Sequence, residues 1–164
     1  MAKRELIYHP NELLRAHAEP VAEIDAETRE LAEEMIRIME SSDGIGLAGP
    51  QVGVLERLFV VEVPEDRPRV FINPQILETS LETKVYEEGC LSIPGVYAEL
   101  ERSARVRIQA WNERGRPFNI EAERMLARVI QHEYDHLNGV LFIDHLPEKK
   151  RERILRKYAA PVAG

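Results

Sequence analysis

Residues 122–139 read Ala122-Glu123-Arg124-Met125-Leu126-Ala127-Arg128-Val129-Ile130-Gln131-His132-Glu133-Tyr134-Asp135-His136-Leu137-Asn138-Gly139. Met125, Leu126, Val129 and Ile130 recur at helical spacing, which predicts a helix over about 122–137. Asn138-Gly139 stops it, with Gly139 suited to the left-handed position just past a helix end. His132 and His136, four residues apart, stand on nearly the same face about one turn from each other, so both imidazoles can reach one metal ion. Glu133 lies beside the first of them, where a carboxylate can handle the proton of an activated water. The bland alternative is a chance pair of helical histidines, one capping and one exposed.

Upstream of this helix the pattern changes to strands. Residues 58–63, 69–72, 79–86, 96–101, 105–111 and 117–120 read as extended, with Pro64 and Pro74 expected to cut the first two short. Val106, Ile108 and Ala110 alternate with Arg105, Arg107 and Gln109, as in a half-buried strand. Before the strands, Asp25 is a candidate N-cap for a helix from Ala26 to about Glu40, and a glycine-rich loop follows from Gly44 to Gly53. After the metal-binding helix come a short apolar run, 140–143, and a last helix from Pro147 to about Tyr158. The order predicts an α+β fold, with a mostly antiparallel sheet packed around a central metal-binding helix and with N-terminal and C-terminal helices. No linker divides the chain, so residues 1–164 are expected to form a single domain.

Composition narrows the function classes. The chain has 164 residues, of which 44% are hydrophobic, enough for a packed core and too many for a disordered chain. Its net charge of −7 argues against coating nucleic acid by charge alone. No segment approaches the roughly 20 apolar residues of a membrane span, and Met1–Leu6 leads into no apolar signal region. A single cysteine, Cys90, rules out an internal disulfide and fits a reduced cytoplasmic setting, or an organelle if a transit peptide has been removed.

Two histidines need a third ligand. In His-Glu-x-x-His-x-x-Gly-x-x-His metalloproteases it is a histidine, but this chain matches only as far as Gly139 and has Phe142 at that position. Glu148 and Glu152 lie in a strongly charged, solvated-looking helix. Cys90, in Glu87-Glu88-Gly89-Cys90-Leu91-Ser92-Ile93-Pro94-Gly95, is the better choice. The alternatives are a small buried thiol that fills space or a nucleophile with a histidine base. Two His and one Cys would leave a tetrahedral ion with an open position, the layout of a catalytic site.

Three segments together resemble the hallmark motifs of the peptide deformylase family: Gly44-Ile45-Gly46-Leu47-Ala48-Gly49-Pro50-Gln51, Glu88-Gly89-Cys90-Leu91-Ser92 and Gln131-His132-Glu133-Tyr134-Asp135-His136. They follow the family's order and spacing, and the similarity runs from Leu14-Arg15 to Asp144. Two positions depart from it. Gly49 stands where a second Ala is usual and would loosen the loop; Arg124 stands where Gly is frequent and could alter the mouth of the substrate groove. The resemblance implies that Cys90, His132 and His136 bind Fe²⁺, replaceable by Zn²⁺, Ni²⁺ or Co²⁺, and that Glu133 is the general acid/base. It implies that Gln51 and the backbone N–H of Leu91 donate to the oxyanion. The backbone around Ile45, Gly46 and Gly89 would pair with an extended N-formyl-methionyl nascent peptide. Met125 and Val129 would line the methionine pocket, unless they are plain core. Glu88 would pair with Arg102 and brace the cysteine loop.

A metallopeptidase would share the helical motif without explaining Gln51 or the cysteine loop, and a non-catalytic peptide binder would need the site spoiled. The final helix carries six basic and two acidic side chains between Pro147 and Tyr158. It is either a solvated face or, as in similar deformylases, a contact with the ribosome. The protein is expected to be a monomer and to bind neither membrane nor DNA.

Overall fold

The structure is a computed structural model that describes residues 4–161; the first three residues of the Met1–Leu6 start lie outside the described residues. Its elements run in the order α1 (Ala26–Ser41), β1 (Gly46–Ala48), β2 (Leu58–Val61), β3 (Arg69–Thr79), β4 (Thr83–Cys90), β5 (Ile93–Ser103), β6 (Arg105–Trp111), β7 (Pro117–Glu123), α2 (Arg124–Leu137) and α3 (Glu148–Lys157). Asp25 caps α1 as expected, its carboxylate accepting the Thr28 N–H at 3.1 Å. Gly139 ends α2 with φ of 73°, and a side chain there would run into the backbone carbonyl of Arg15.

Five strands form one sheet in the order β1-β2-β3-β6-β7, and β4 and β5 form a separate two-stranded sheet; every strand pair is antiparallel. The larger sheet lies between two helices. Phe59, Val61, Phe71, Val106 and Ile108 pack with Ala127, Val129 and Ile130 of α2. Leu58, Val60, Val70 and Ile72 pack with Leu31, Met35 and Met39 of α1. The unbroken apolar run Leu58-Phe59-Val60-Val61 follows from this, because both faces of β2 are covered. A third cluster lies under β5, where Ile93, Val96, Ala98 and Leu100 meet Leu14, Leu141, Phe142 and Ile143. Ile154, Leu155 and Tyr158 of the last helical segment dock on that cluster, while Lys149, Lys150, Arg153, Arg156 and Lys157 are exposed.

The α+β reading holds, with three local corrections. Pro74 does not end β3: the strand runs on to Thr79, and the irregular register between Ile72 and Gln75 absorbs the missing N–H. The stretch 79–86 is not one strand but the end of β3, a turn at 80–82 and the start of β4; the Ser80 hydroxyl bonds the Glu82 carbonyl at 2.7 Å and holds the turn. The glycine-rich segment is not wholly loop, since it contains β1 and a 3-10 turn at Gly49–Val52.

Candidate metal centre

Helix α2 crosses behind β1 and β2 and brings His132 and His136 under the end of β4, where Cys90 sits. One donor atom from each of Cys90, His132 and His136 lies within 4.8 Å of the others. His136 Nε2 is 3.4 Å from Cys90 Sγ. A thiolate with two imidazoles is a borderline-soft donor set; it suits Fe²⁺, Co²⁺, Ni²⁺ or Zn²⁺ and does not suit Mg²⁺ or Ca²⁺. The chemistry of the residues therefore fits a mononuclear transition-metal site.

Glu133 faces this cluster. It is buried, its Oε2 is 3.9 Å from His132 Nε2, and its Oε1 has no hydrogen-bond partner. Burial pushes its carboxyl up to about 7. A buried acceptor without a donor is costly unless the site supplies one.

Glu88 behaves in the opposite way. Burial alone would raise its pKa, but hydrogen bonds from His132 and Arg102 outweigh that and hold it well below the usual carboxylate range. Its Oε1 meets His132 Nδ1 at 3.0 Å, and a carboxylate can only accept, so Nδ1 carries the proton and Nε2 is left for a metal. Arg102 grips both oxygens of Glu88, from Nε at 2.6 Å and from the second fork nitrogen at 2.9 Å, which is the expected brace. Arg128, which sequence reasoning passed over, adds a bond of 2.6 Å to Oε2 and also holds the carbonyls of Lys84 and Leu100. Its signal was an arginine on the apolar side of a helix, a position that demands a buried partner. His136 is kept neutral, first by burial and then by the positive neighbours His132, Arg102 and Arg15. Burial would lower His132 too, but Glu133, Cys90 and Glu88 raise it well above its ordinary value. A bound cation would displace that proton.

A cleft of about 550 Å³ opens over the cluster. It is lined by Ile45, Gly46 and Gln51 from the glycine-rich segment, by Glu88, Gly89, Cys90 and Leu91 around the end of β4, and by Met125, Val129, His132 and Glu133 of α2. The structure thus brings together every site residue expected from the sequence. Gln51 is fully oriented: its Oε1 accepts the Ala48 N–H at 2.9 Å, and its Nε2 donates to Ser92 Oγ at 3.1 Å and points toward Cys90 Sγ at 3.5 Å. Ser92 was not expected; its motif position beside Cys90 was the available signal. Gly46 permits a close approach, since a Cβ there would lie 2.5 Å from the Glu133 carboxylate and 2.7 Å from Val129.

The two departures read differently in three dimensions. Gly49 does not loosen its loop: a Cβ would meet the backbone carbonyls of Val54 and Glu56 at 2.8 Å, so the glycine permits tight packing. Arg124 takes the left-handed φ of 57° at the start of α2, where glycine would be unstrained, and lines a side cavity that borders the main cleft through Tyr86, Met125 and Arg128.

A three-donor transition-metal cluster under a peptide-sized cleft, with an unpartnered buried carboxyl beside it, is the make-up of a metal-dependent hydrolase. Comparison with known proteins identifies the kind. Residues 3–152 match the family model of polypeptide deformylase. The chain is 52% identical to the peptide deformylase of Borreliella burgdorferi over 94% of both proteins. It is 48% identical to that of Chromohalobacter salexigens, over 96% of this chain and 94% of that one. Among solved structures, a peptide deformylase from Ehrlichia chaffeensis in complex with actinonin superposes with a TM-score of 0.92 at 36% identity, covering 96% of each chain. One from Synechococcus elongatus, also with actinonin, gives 0.90 at 43%, covering 94% of this chain and 86% of that one. The chain belongs to the polypeptide deformylase family. The activity of that family, hydrolytic removal of the N-terminal formyl group of newly made polypeptides, is the activity of this enzyme. No described helix is long and apolar enough to cross a membrane.

Proposed function

We propose that Cys90, His132 and His136 hold a single Fe²⁺, replaceable by Zn²⁺, Ni²⁺ or Co²⁺, and that the cleft above them hydrolyses the formyl amide of an N-formyl-methionyl peptide. The observation that carries this reading is Glu133 Oε1, buried and unpartnered beside the ligand cluster. When bound, the metal supplies Lewis-acid activation of water and of the formyl oxygen. Glu133, buried and unpartnered beside the ligands, takes the proton of the attacking water and passes it to the departing amine. As negative charge grows on the formyl oxygen, one N–H of Gln51, whose oxygen is tied to Ala48, and the backbone N–H of Leu91 stabilise it. Removing one such donor costs about 10²–10³ in rate.

Ile45 and Gly46 at the β1 edge, with Gly89 opposite, hold the peptide backbone in extended form. Met125 and Val129 receive the unbranched methionine side chain. The fold as a whole acts as one catalytic domain and as a monomer, in the cytoplasm or an organelle. The exposed lysines and arginines of α3 form a contact with the ribosome, supported by the docking of that segment through Ile154, Leu155 and Tyr158, which leaves those charges facing outward. The deciding assay compares formate release from formyl-Met-Ala-Ser with cleavage of the unformylated peptide. Formate release that tracks stoichiometric metal is expected; cleavage of the unformylated peptide without formate release would refute the reading.

A further inference from the structure

The arginine that braces Glu88 is itself held from the other side. The third corner of the Arg102 guanidinium bonds Asp135 Oδ2 at 3.0 Å, and the same oxygen meets His145 Nε2 at 2.8 Å. Asp135 neighbours the ligand His136 in sequence, yet nothing places its carboxylate among the donors of the cluster. A continuous chain of contacts therefore runs from His145, which is exposed, through Asp135, Arg102 and Glu88 to His132 Nδ1.

We infer that Asp135 is a positioning residue for the metal centre, acting on His132 through Arg102 and Glu88. The physical argument is one of charge and geometry. Glu88 faces two buried guanidiniums, Arg102 and Arg128. Asp135 supplies the second carboxylate, so the four charges balance. Without it the two arginines leave a surplus positive charge in a poorly screened interior, close to where a dication binds. That surplus draws Glu88 toward the arginines and away from His132 Nδ1. Asp135 also fixes the plane of Arg102. A fork held at both ends can present two nitrogens to Glu88 in one orientation only.

The inference rests on Cys90, His132 and His136 as metal ligands. A parent protein that fails to take up one Co²⁺ or Ni²⁺ per chain would refute that ligand assignment, and the inference with it. The test measures Co²⁺ and Ni²⁺ affinity by chelator competition, together with the absorption spectrum of the Co²⁺ form. The isosteric Asp135→Asn is expected to weaken both affinities about 3- to 10-fold, less than the roughly 10–100-fold typical of a ligand's direct partner. It should also shift the Co²⁺ bands, whereas Asp135→Glu, which restores the charge, should recover most of the affinity. In a Glu88→Gln background the Asp135→Asn step should cost less than about 2-fold, because its route to His132 is cut. Arg102→Lys keeps the charge and loses the fork, so it should show the part of the loss that comes from orientation, and adding Asp135→Asn should then cost only the part that comes from charge. Parent-like affinity and spectrum in Asp135→Asn, or an undiminished loss in the Glu88→Gln background, would overturn the proposal.

Discussion

The metal cluster is assembled from two regions that solve the same problem in different ways. Helix α2 delivers His132 and His136 by local geometry alone: four residues along a helix set two side chains on one face. The β4–β5 hairpin delivers Cys90 from 42 residues before His132 and has no such guarantee. Its position depends on the pairing of β4 with β5, on Arg102 and Arg128 gripping Glu88, and on Gln51 reaching Ser92. The helix is thus a rigid half-site, and the hairpin a half-site held by long-range polar ties. The support of the two histidines is equally uneven. His132 leans on a buried carboxylate anchored by two arginines, whereas His136 Nδ1 is buried without a partner.

The largest expected effect comes from removing the hairpin's donor. Cys90→Ser replaces a thiolate by a weak neutral ligand, so the metal should be lost or bound far more weakly, and deformylation should disappear with it. Metal content and formate release on one preparation check this. Stoichiometric metal with normal turnover would mean that α2 and some other residue suffice.

Glu133→Gln separates chemistry from binding on the helix side. The three proposed ligands are untouched, so the metal should stay, while turnover falls by about 10²–10⁴ if the proposed proton transfer is lost. A metal-loaded, active variant would remove Glu133 from the mechanism.

The same substitution makes a stability prediction for the metal-free protein. Burial raises the Glu133 carboxyl to about 7 from the ordinary 4.5, so the folded protein holds a proton that the unfolded chain releases. Stability therefore falls as pH rises from about 4.5 through 7, and Gln at this position escapes the loss. Thermal unfolding should show Glu133→Gln gaining on the parent from pH 5 to pH 8, by about 1–3 kcal/mol. An advantage that does not change with pH would show that Glu133 ionises as readily when folded as when unfolded.

The smallest effect on catalysis is expected far from both half-sites. Charge reversal at Lys149, Lys150, Arg153 and Arg156 leaves Ile154 and Leu155 docked, so formate release from a short formyl peptide should stay within about 2-fold. Sedimentation with ribosomes at low salt should drop, and added salt should weaken the parent's binding in the same way. Equal pelleting of parent and variant would make the tail a solvated helix only.

Much of the site is legible in the sequence. The helix, its stop at Gly139 and the spacing of His132 and His136 follow from periodicity and backbone chemistry, which act within a few residues. Pro74 does not end its strand, because a proline excludes a ladder bond but not a bulge, and only the pairing with β6 shows that a bulge is present. Gly49 differs from its expectation for a similar reason: flexibility is a property of an isolated loop, whereas here Val54 and Glu56 fill the space a side chain would need.

By itself, then, the sequence determined the α+β class, the amphipathic metal helix, the pair of histidines with their neighbouring carboxylate, and the three motifs that mark the family. Those features are set by short-range geometry or by residue identity. Only the tertiary structure decided that Cys90 meets the histidines, that Glu88 orients His132 while Arg102 and Arg128 hold it, and that Asp135 stands behind Arg102. It also decided that Gln51 turns a nitrogen toward the cluster. Buried charges select partners by burial and proximity across distant elements, and neither is written in the local order of residues.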